Sequence, residues 1–226
     1  MFDMGFGAGF GADAGFADAA GDGLESMYQE VILDAARNPH GKTHFETTDE
    51  LAQAELQEES QESAENTKSA EITLNNAHES CVAAGKNSAL GQSHQFNPTC
   101  GDEVTMRVEL SRSANNDETP IVSSIKWDGH GCSISQASLS MMVDLVEGKS
   151  VDEALRLDAL FHKLMESRGA GFENEEDEDA LEDAMVLQGV SRYPMRIKCA
   201  LLAWEGLKDS IAKASQNLNP QILGNL

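Results

Sequence analysis

Between Val104 and Leu110 every second residue is apolar: Val104, Met106, Val108 and Leu110 alternate with mostly polar neighbours. A period of two predicts a strand with one face buried and the other wet. The stretch SRSANNDETP supplies turn residues, and Ile121, Ser123, Ile125 and Trp127 resume the alternation, so the two runs read as an antiparallel hairpin. A further strand just before Asn97 has only weak support in the pattern.

Past Cys132 the period becomes helical. In SISQASLSMMVDLVEG the apolar positions are Ile134, Leu139, Met142, Val143 and Leu145, and Gly148 suits a C-cap. SVDEALRLDALFHKLMES opens with a serine N-cap and an acidic first turn. A short helix is expected in DALEDAMVL. PMRIKCALLAWEGLKDSIAKA reads as a long helix with proline in its first turn, where the missing amide sacrifices no helical hydrogen bond. Upstream, Leu24, Met27, Tyr28, Val31, Ile32 and Ala35 share one helical face, and Asn38 and Pro39 end that helix. The fold class that follows is α+β: a small antiparallel β-sheet with helices packed on one face.

Two stretches are too poor in large apolar residues to fold alone: the Gly/Ala/Asp-rich opening, and an acidic, Ser/Gln/Asn-rich run from about Thr43 to Gln95, with transient helix at most in TTDELAQAELQEE. The chain is therefore divided into a disordered extension over 1–23, an N-terminal helix over 24–41, an acidic low-complexity insertion over 42–95, a core domain over 96–214 and a tail over 215–226. Roughly 150 residues remain for a core, a common domain size.

The 226 residues carry a formal net charge of −23, which argues against nucleic acid or an acidic membrane as a partner and favours a basic protein. Much of that charge lies in 43–80 and in ENEEDEDALED, read as solvated acidic loops. The N-terminus has no basic stretch followed by an apolar one, and no window approaches the roughly 18 apolar residues of a membrane span. The expectation is a cytoplasmic protein. There, Cys81, Cys100, Cys132 and Cys199 are thiols or metal ligands rather than a disulfide framework.

NPTCGDEVTMRVEL sets Cys100 and Asp102 on either side of one glycine at the mouth of a strand, where a metal ion or an activated sulfur would use both. Cys132 follows WDGHG at a helix start, where free amides and the helix dipole favour thiolate, and Gly129 and Gly131 let the backbone turn sharply. Cys199 falls in the second turn of the long helix. Loop ends at one edge of a small sheet can meet helix starts, so three sulfurs and a carboxylate could form one tetrahedral site. That donor set suits zinc, and thiolate-rich sites also accept iron–sulfur clusters. Buried core cysteines with Asp102 capping a turn would account for the same residues.

Three motifs in order, NPTCGDEVTMRVEL, IKWDGHGCSISQASLSMMVDLVEGKSVDEAL and LQGVSRYPMRIKCALLAWEGL, closely resemble the U-type proteins of the SUF system (SufU), relatives of the IscU and NifU iron–sulfur scaffolds. MYQEVILDAARNPHGK also resembles the family's opening helix. The resemblance implies a SufE/NifU-like, IscU-like fold and the metal ligands Cys100, Asp102, Cys132 and Cys199. It makes Cys100 the sulfur acceptor as well, and Arg196 a candidate stabiliser of the attacking or leaving sulfur. Lys198 stands where IscU-type chains carry histidine, and 148–192 resembles the insertion typical of SufU, so the resemblance favours that branch.

The expected function is iron–sulfur cluster assembly. A zinc-bound sulfur acceptor would take persulfide sulfur from a cysteine desulfurase (SufS-like) and feed the SUF scaffold complex, acting as a sulfurtransferase. The alternative is a scaffold holding an iron–sulfur cluster on the same ligands, and the third reading is a structural zinc module that only binds a partner. A carboxylate speaks against the third, since structural zinc sites are usually closed by cysteine and histidine. His130 is a weak fifth candidate ligand, and His40, His44, His78, His94 and His162 lack ligand spacing. Cys81 is read as a free thiol, Met141 and Met142 as helix core, and Trp127 and Trp204 as packing against the sheet and the long helix.

Overall fold

A computed structural model describes residues 18–46, 87–112 and 119–218. Three strands, β1 (Ser88–Asn97), β2 (Asp102–Ser111) and β3 (Ile121–His130), form one antiparallel sheet in the order β1-β2-β3. The helices are α1 (Asp18–Arg37), α2 (Ser133–Val146), α3 (Val151–Glu166), α4 (Glu175–Leu181), a 3-10 stretch (Glu182–Arg192) and α5 (Pro194–Leu218). The architecture is the α+β sheet with helices that the pattern predicts.

The alternation in β2 sorts its side chains: Val104, Met106, Val108 and Leu110 are buried, and Asp102, at the head of the strand, shares their face. Its carboxylate is thereby carried to the helix side of the sheet. Helix α5 lies across β1 and β2 on that side, with α2 and α3 packed beside it and α1 on α2. The Phe161 ring of α3 stacks on Trp204 of α5, centroids 4.6 Å apart, so Trp204 packs helix to helix. Trp127 is buried in β3, and its indole N–H donates to the His40 carbonyl at 2.8 Å.

Strand β1 begins at Ser88, so the core resumes inside the stretch read as an insertion to residue 95. Its inward positions are Ala89, Gly91, Ser93 and Asn97, small or polar rather than apolar. At Gly91 a Cβ would run into the backbone of α5 at Ser210 and Ala214, so the helix sits directly on the strand. Small residues are what that approach demands, and they leave no apolar alternation to read.

In β3 the inward residues are Val122, Ile125 and Trp127, whereas Ile121 is exposed. The register slips between Glu109 and Leu110, where Ser124 faces Glu109 and Val122 faces Leu110, leaving Ser123 as an extra residue. A bulge of that kind reverses which residues face inward. The phase read from Ile121 and Ser123 is therefore corrected to Val122.

Helix α1 starts at Asp18, within the segment read as extension, and α5 runs to Leu218, past 214. The last turn of α5 is tied to the sheet by Asn217, whose side-chain amide donates to the Leu90 carbonyl at 2.8 Å. The short helix expected in DALEDAMVL is divided between α4 and the 3-10 stretch. On α1, Ile32 and Ala35 pack against the core while Met27, Tyr28 and Val31 are exposed. Residues 41–43 then run parallel to β3: Trp127 N–H donates to the Gly41 carbonyl at 3.0 Å and Thr43 N–H to the Trp127 carbonyl at 2.8 Å. The transient helix in TTDELAQAELQEE, Cys81, His78 and the end of the tail lie outside the described residues. No helix among the described residues is long and apolar enough to cross a membrane.

Candidate metal centre

The turn between β1 and β2 is short because Asn97 and Asp102 face each other in register. Within it the Asn97 carbonyl accepts from the amides of Gly101 at 2.8 Å and Cys100 at 3.3 Å. Gly101 has φ +74°, a left-handed conformation that glycine adopts without a Cβ penalty. Cys100 therefore sits exposed at the tip of a hairpin whose next residue but one is buried.

Cys132 is the N-cap of α2 and its own side chain makes no cap bond. Asp102 reaches it from the neighbouring strand: Oδ1 accepts from the Cys132 amide at 3.0 Å, and Oδ2 lies 3.5 Å from its sulfur. A Cβ at Gly131 would press on the Asp102 side chain and on Ser135, so this glycine is needed for close approach. It has no left-handed backbone. Gly129 does, with φ +156°, and a Cβ there would collide with the Glu103 carbonyl.

Cys199, in the second turn of α5, is 1% exposed and its sulfur lies 3.1 Å from that of Cys100. Burial pushes this thiol well above its ordinary range, helped by its contacts with Cys100 and Asp102 and by its electrostatic coupling to Cys132 and Asp102. Such a thiol keeps its proton until a cation replaces it.

Cys100, Asp102 and Cys199 offer donor atoms that all lie within 4.8 Å of one another. Cys132 is not within that distance of all three and joins the group through Asp102. Three thiols and one carboxylate, partly buried and converging from a hairpin, a helix cap and a helix, suit a thiophilic cation such as zinc or iron.

Arg196 is exposed, one turn before Cys199, with its guanidinium carbon 4.9 Å from the centre of the Tyr193 ring. Lys198 and His130 are exposed as well. His94 lies 3.4 Å from Glu103 and His162 3.5 Å from Asp158, and neither belongs to the donor group of Cys100, Asp102 and Cys199.

Sequence reasoning missed Asn97. This side chain is 4% exposed, its Oδ1 accepts from the Thr99 amide at 3.1 Å, and its Nδ2 donates to the Cys199 sulfur at 3.4 Å. The available signal was an asparagine opening a hairpin turn, a position where it commonly caps its own loop. That signal says nothing of the second bond.

A family model described as "NifU-like N terminal domain" matches residues 71–200, more than half of the chain, a span that includes all four candidate ligands. The chain is 39% identical over 117 residues to the "Zinc-dependent sulfurtransferase SufU" of Bacillus subtilis, covering 52% of this chain and 71% of that protein. It is 40% identical over 127 residues to the "Iron-sulfur cluster assembly scaffold protein IscU" of Streptococcus pyogenes, covering 55% and 72%. Among solved structures, a "Nitrogen-fixing NifU-like protein (N-terminal)" from Brucella abortus superposes with a TM-score of 0.52 over 85% of this chain and 97% of that one. At 17% identity, that likeness speaks for the fold alone.

Proposed function

The chain belongs to the NifU-like N-terminal domain family, and from that premise we propose that it serves iron–sulfur cluster assembly as a metal-bound sulfur acceptor. The observation that carries this reading is the convergence of Cys100, Asp102 and Cys199, with Cys132 linked through the carboxylate. Cys100, Asp102, Cys132 and Cys199 would hold zinc, which keeps bound thiols deprotonated and has no redox chemistry of its own.

The residues divide the labour by where they are anchored. Cys132 and Cys199 sit on helices and hold, while Cys100, exposed beside Gly101, is the sulfur free to leave and react. Its thiolate attacks the terminal sulfur of a persulfide on the donor enzyme's cysteine. The donor's S–S bond breaks, a new S–S bond forms on Cys100, and the donor cysteine leaves as a thiolate, so no external oxidant or reductant is required. Arg196 is one turn from Cys199 and, released from Tyr193, would bring a cation to that exchange.

This reading makes the protein a cytoplasmic partner of a SufS-like cysteine desulfurase, with the SUF scaffold complex downstream. It is supported by the free thiols at Cys100, Cys132 and Cys199 and by the likeness to a relative named as a zinc-dependent sulfurtransferase. The second reading is a scaffold holding a cluster on the same donors, favoured by the equally strong likeness to a relative named as a scaffold.

Metal and acid-labile sulfide content of protein isolated without oxygen separates the two. About one zinc per chain, no sulfide and a colourless solution are expected. Brown protein carrying iron and sulfide would overturn the acceptor reading in favour of the scaffold.

A further inference from the structure

Asn97 touches both halves of the centre with one side chain. The Thr99 amide needs an acceptor, which fixes Oδ1 toward the loop and leaves the Nδ2 hydrogens to face Cys199. Its backbone carbonyl meanwhile holds the amides of Cys100 and Gly101. A residue only 4% exposed thus braces the hairpin that presents Cys100 and hydrogen-bonds the sulfur of Cys199.

The need for such a donor follows from charge. Three thiolates and a carboxylate around a dication leave an excess of negative charge, and the sulfur least able to share its part with water is Cys199, 1% exposed. An N–H directed at a bound thiolate stabilises the charge on that sulfur and lowers its tendency to attack or depart. Cys100, at the exposed tip, is contacted by the Cys199 sulfur and receives no such amide from Asn97.

We propose that Asn97 is a positioning residue which holds Cys199 as the anchoring sulfur and so leaves Cys100 as the one that departs and reacts. This rests on the reading of the centre as a metal-bound sulfur acceptor. The side chain acts through the two cysteines and touches no substrate atom itself.

Asn97→Asp separates its two tasks, because a carboxylate oxygen still accepts from the Thr99 amide while the donor to Cys199 is lost. Full-length protein is loaded with cobalt(II), the near-ultraviolet thiolate-to-cobalt band is recorded, and release to a chelator is timed. The expected result is a band moved to longer wavelength and release about 10- to 100-fold faster, the usual cost of losing an outer-shell partner, with the circular dichroism of the wild type. Unchanged band and release in a folded variant would overturn the proposal. Should Asn97→Asp lose its fold, Asn97→Ser decides by the same two readings, since its hydroxyl can cap the loop but falls short of Cys199. Wild-type protein that takes up neither zinc nor cobalt is a different failure: it overturns the metal reading itself, before any variant is made.

Discussion

The carboxylate of Asp102 is divided between the backbone and the side chain of one residue, Oδ1 accepting from the Cys132 amide at 3.0 Å and Oδ2 lying 3.5 Å from the Cys132 sulfur. One buried side chain on a strand thus positions the first residue of a helix and brings the helix's thiol into the centre.

Two substitutions at Asp102 separate those effects. Asp102→Asn retains a side-chain oxygen for the Cys132 amide, so its melting temperature is expected to stay near wild type while metal is released faster. Asp102→Ala removes both and is expected to lose on the order of 1 to 3 kcal/mol, the range for stranding a polar partner. Denaturant titration and chelator-timed zinc release on both variants check the pair. Equal stability of the two would contradict the capping role.

Cys100→Ala is expected to abolish sulfur acceptance and leave the helices intact, because the thiol is exposed at the hairpin tip and lies outside the apolar core. The check is mass spectrometry for persulfide on the protein after incubation with a cysteine desulfurase and cysteine, beside a far-ultraviolet spectrum. A variant that still stimulates the desulfurase as the wild type does would refute Cys100 as acceptor.

At Gly101 nothing lies within 4 Å of an added Cβ, so Gly101→Ala tests backbone conformation alone. With φ at +74° the expected loss is about 1 to 2 kcal/mol of stability, together with slower sulfur acceptance as the Cys100 loop is displaced. Denaturation curves and the persulfide assay report the two separately.

His162 gives the stability a pH dependence. Its side-chain interaction with Asp158 raises its pKa despite burial, and the charges of Asp158 and Glu205 add to the rise against an opposing Lys208. A histidine whose folded pKa is raised contributes stability that is fully present below its unfolded value of about 6.5 and is lost as pH climbs through the folded value. Melting temperature is therefore expected to fall on going from about pH 6 to pH 8 in low salt, and His162→Gln to flatten that slope.

The parts of the fold that could be read in advance are those where burial demands large apolar side chains. β2 announced itself through Val104, Met106, Val108 and Leu110, and α3 through Ser150, whose hydroxyl accepts from the Glu153 amide as an N-cap should. β1 was faint because α5 packs too closely at Gly91 for anything larger, and the phase of β3 was hidden because a bulge leaves no mark in residue type. At the centre, the donors stood out by their chemistry and by the motifs around them. Asn97 did not, since the bond from its side chain to Cys199 spans 102 positions and no local pattern encodes it.

Because Gly91 lets α5 seat directly on β1, the arrival of Cys199 at the centre is bound to the docking of a whole helix. The β1–β2 turn can close on the microsecond timescale of a hairpin and bring Cys100 and Asp102 together within a few residues. The sulfur of Cys199, 99 positions beyond Cys100, joins only when the long loop between them is closed against its entropy. The three thiols that meet there thus come from three separate stretches of the chain, and no one of those stretches presents more than one of them.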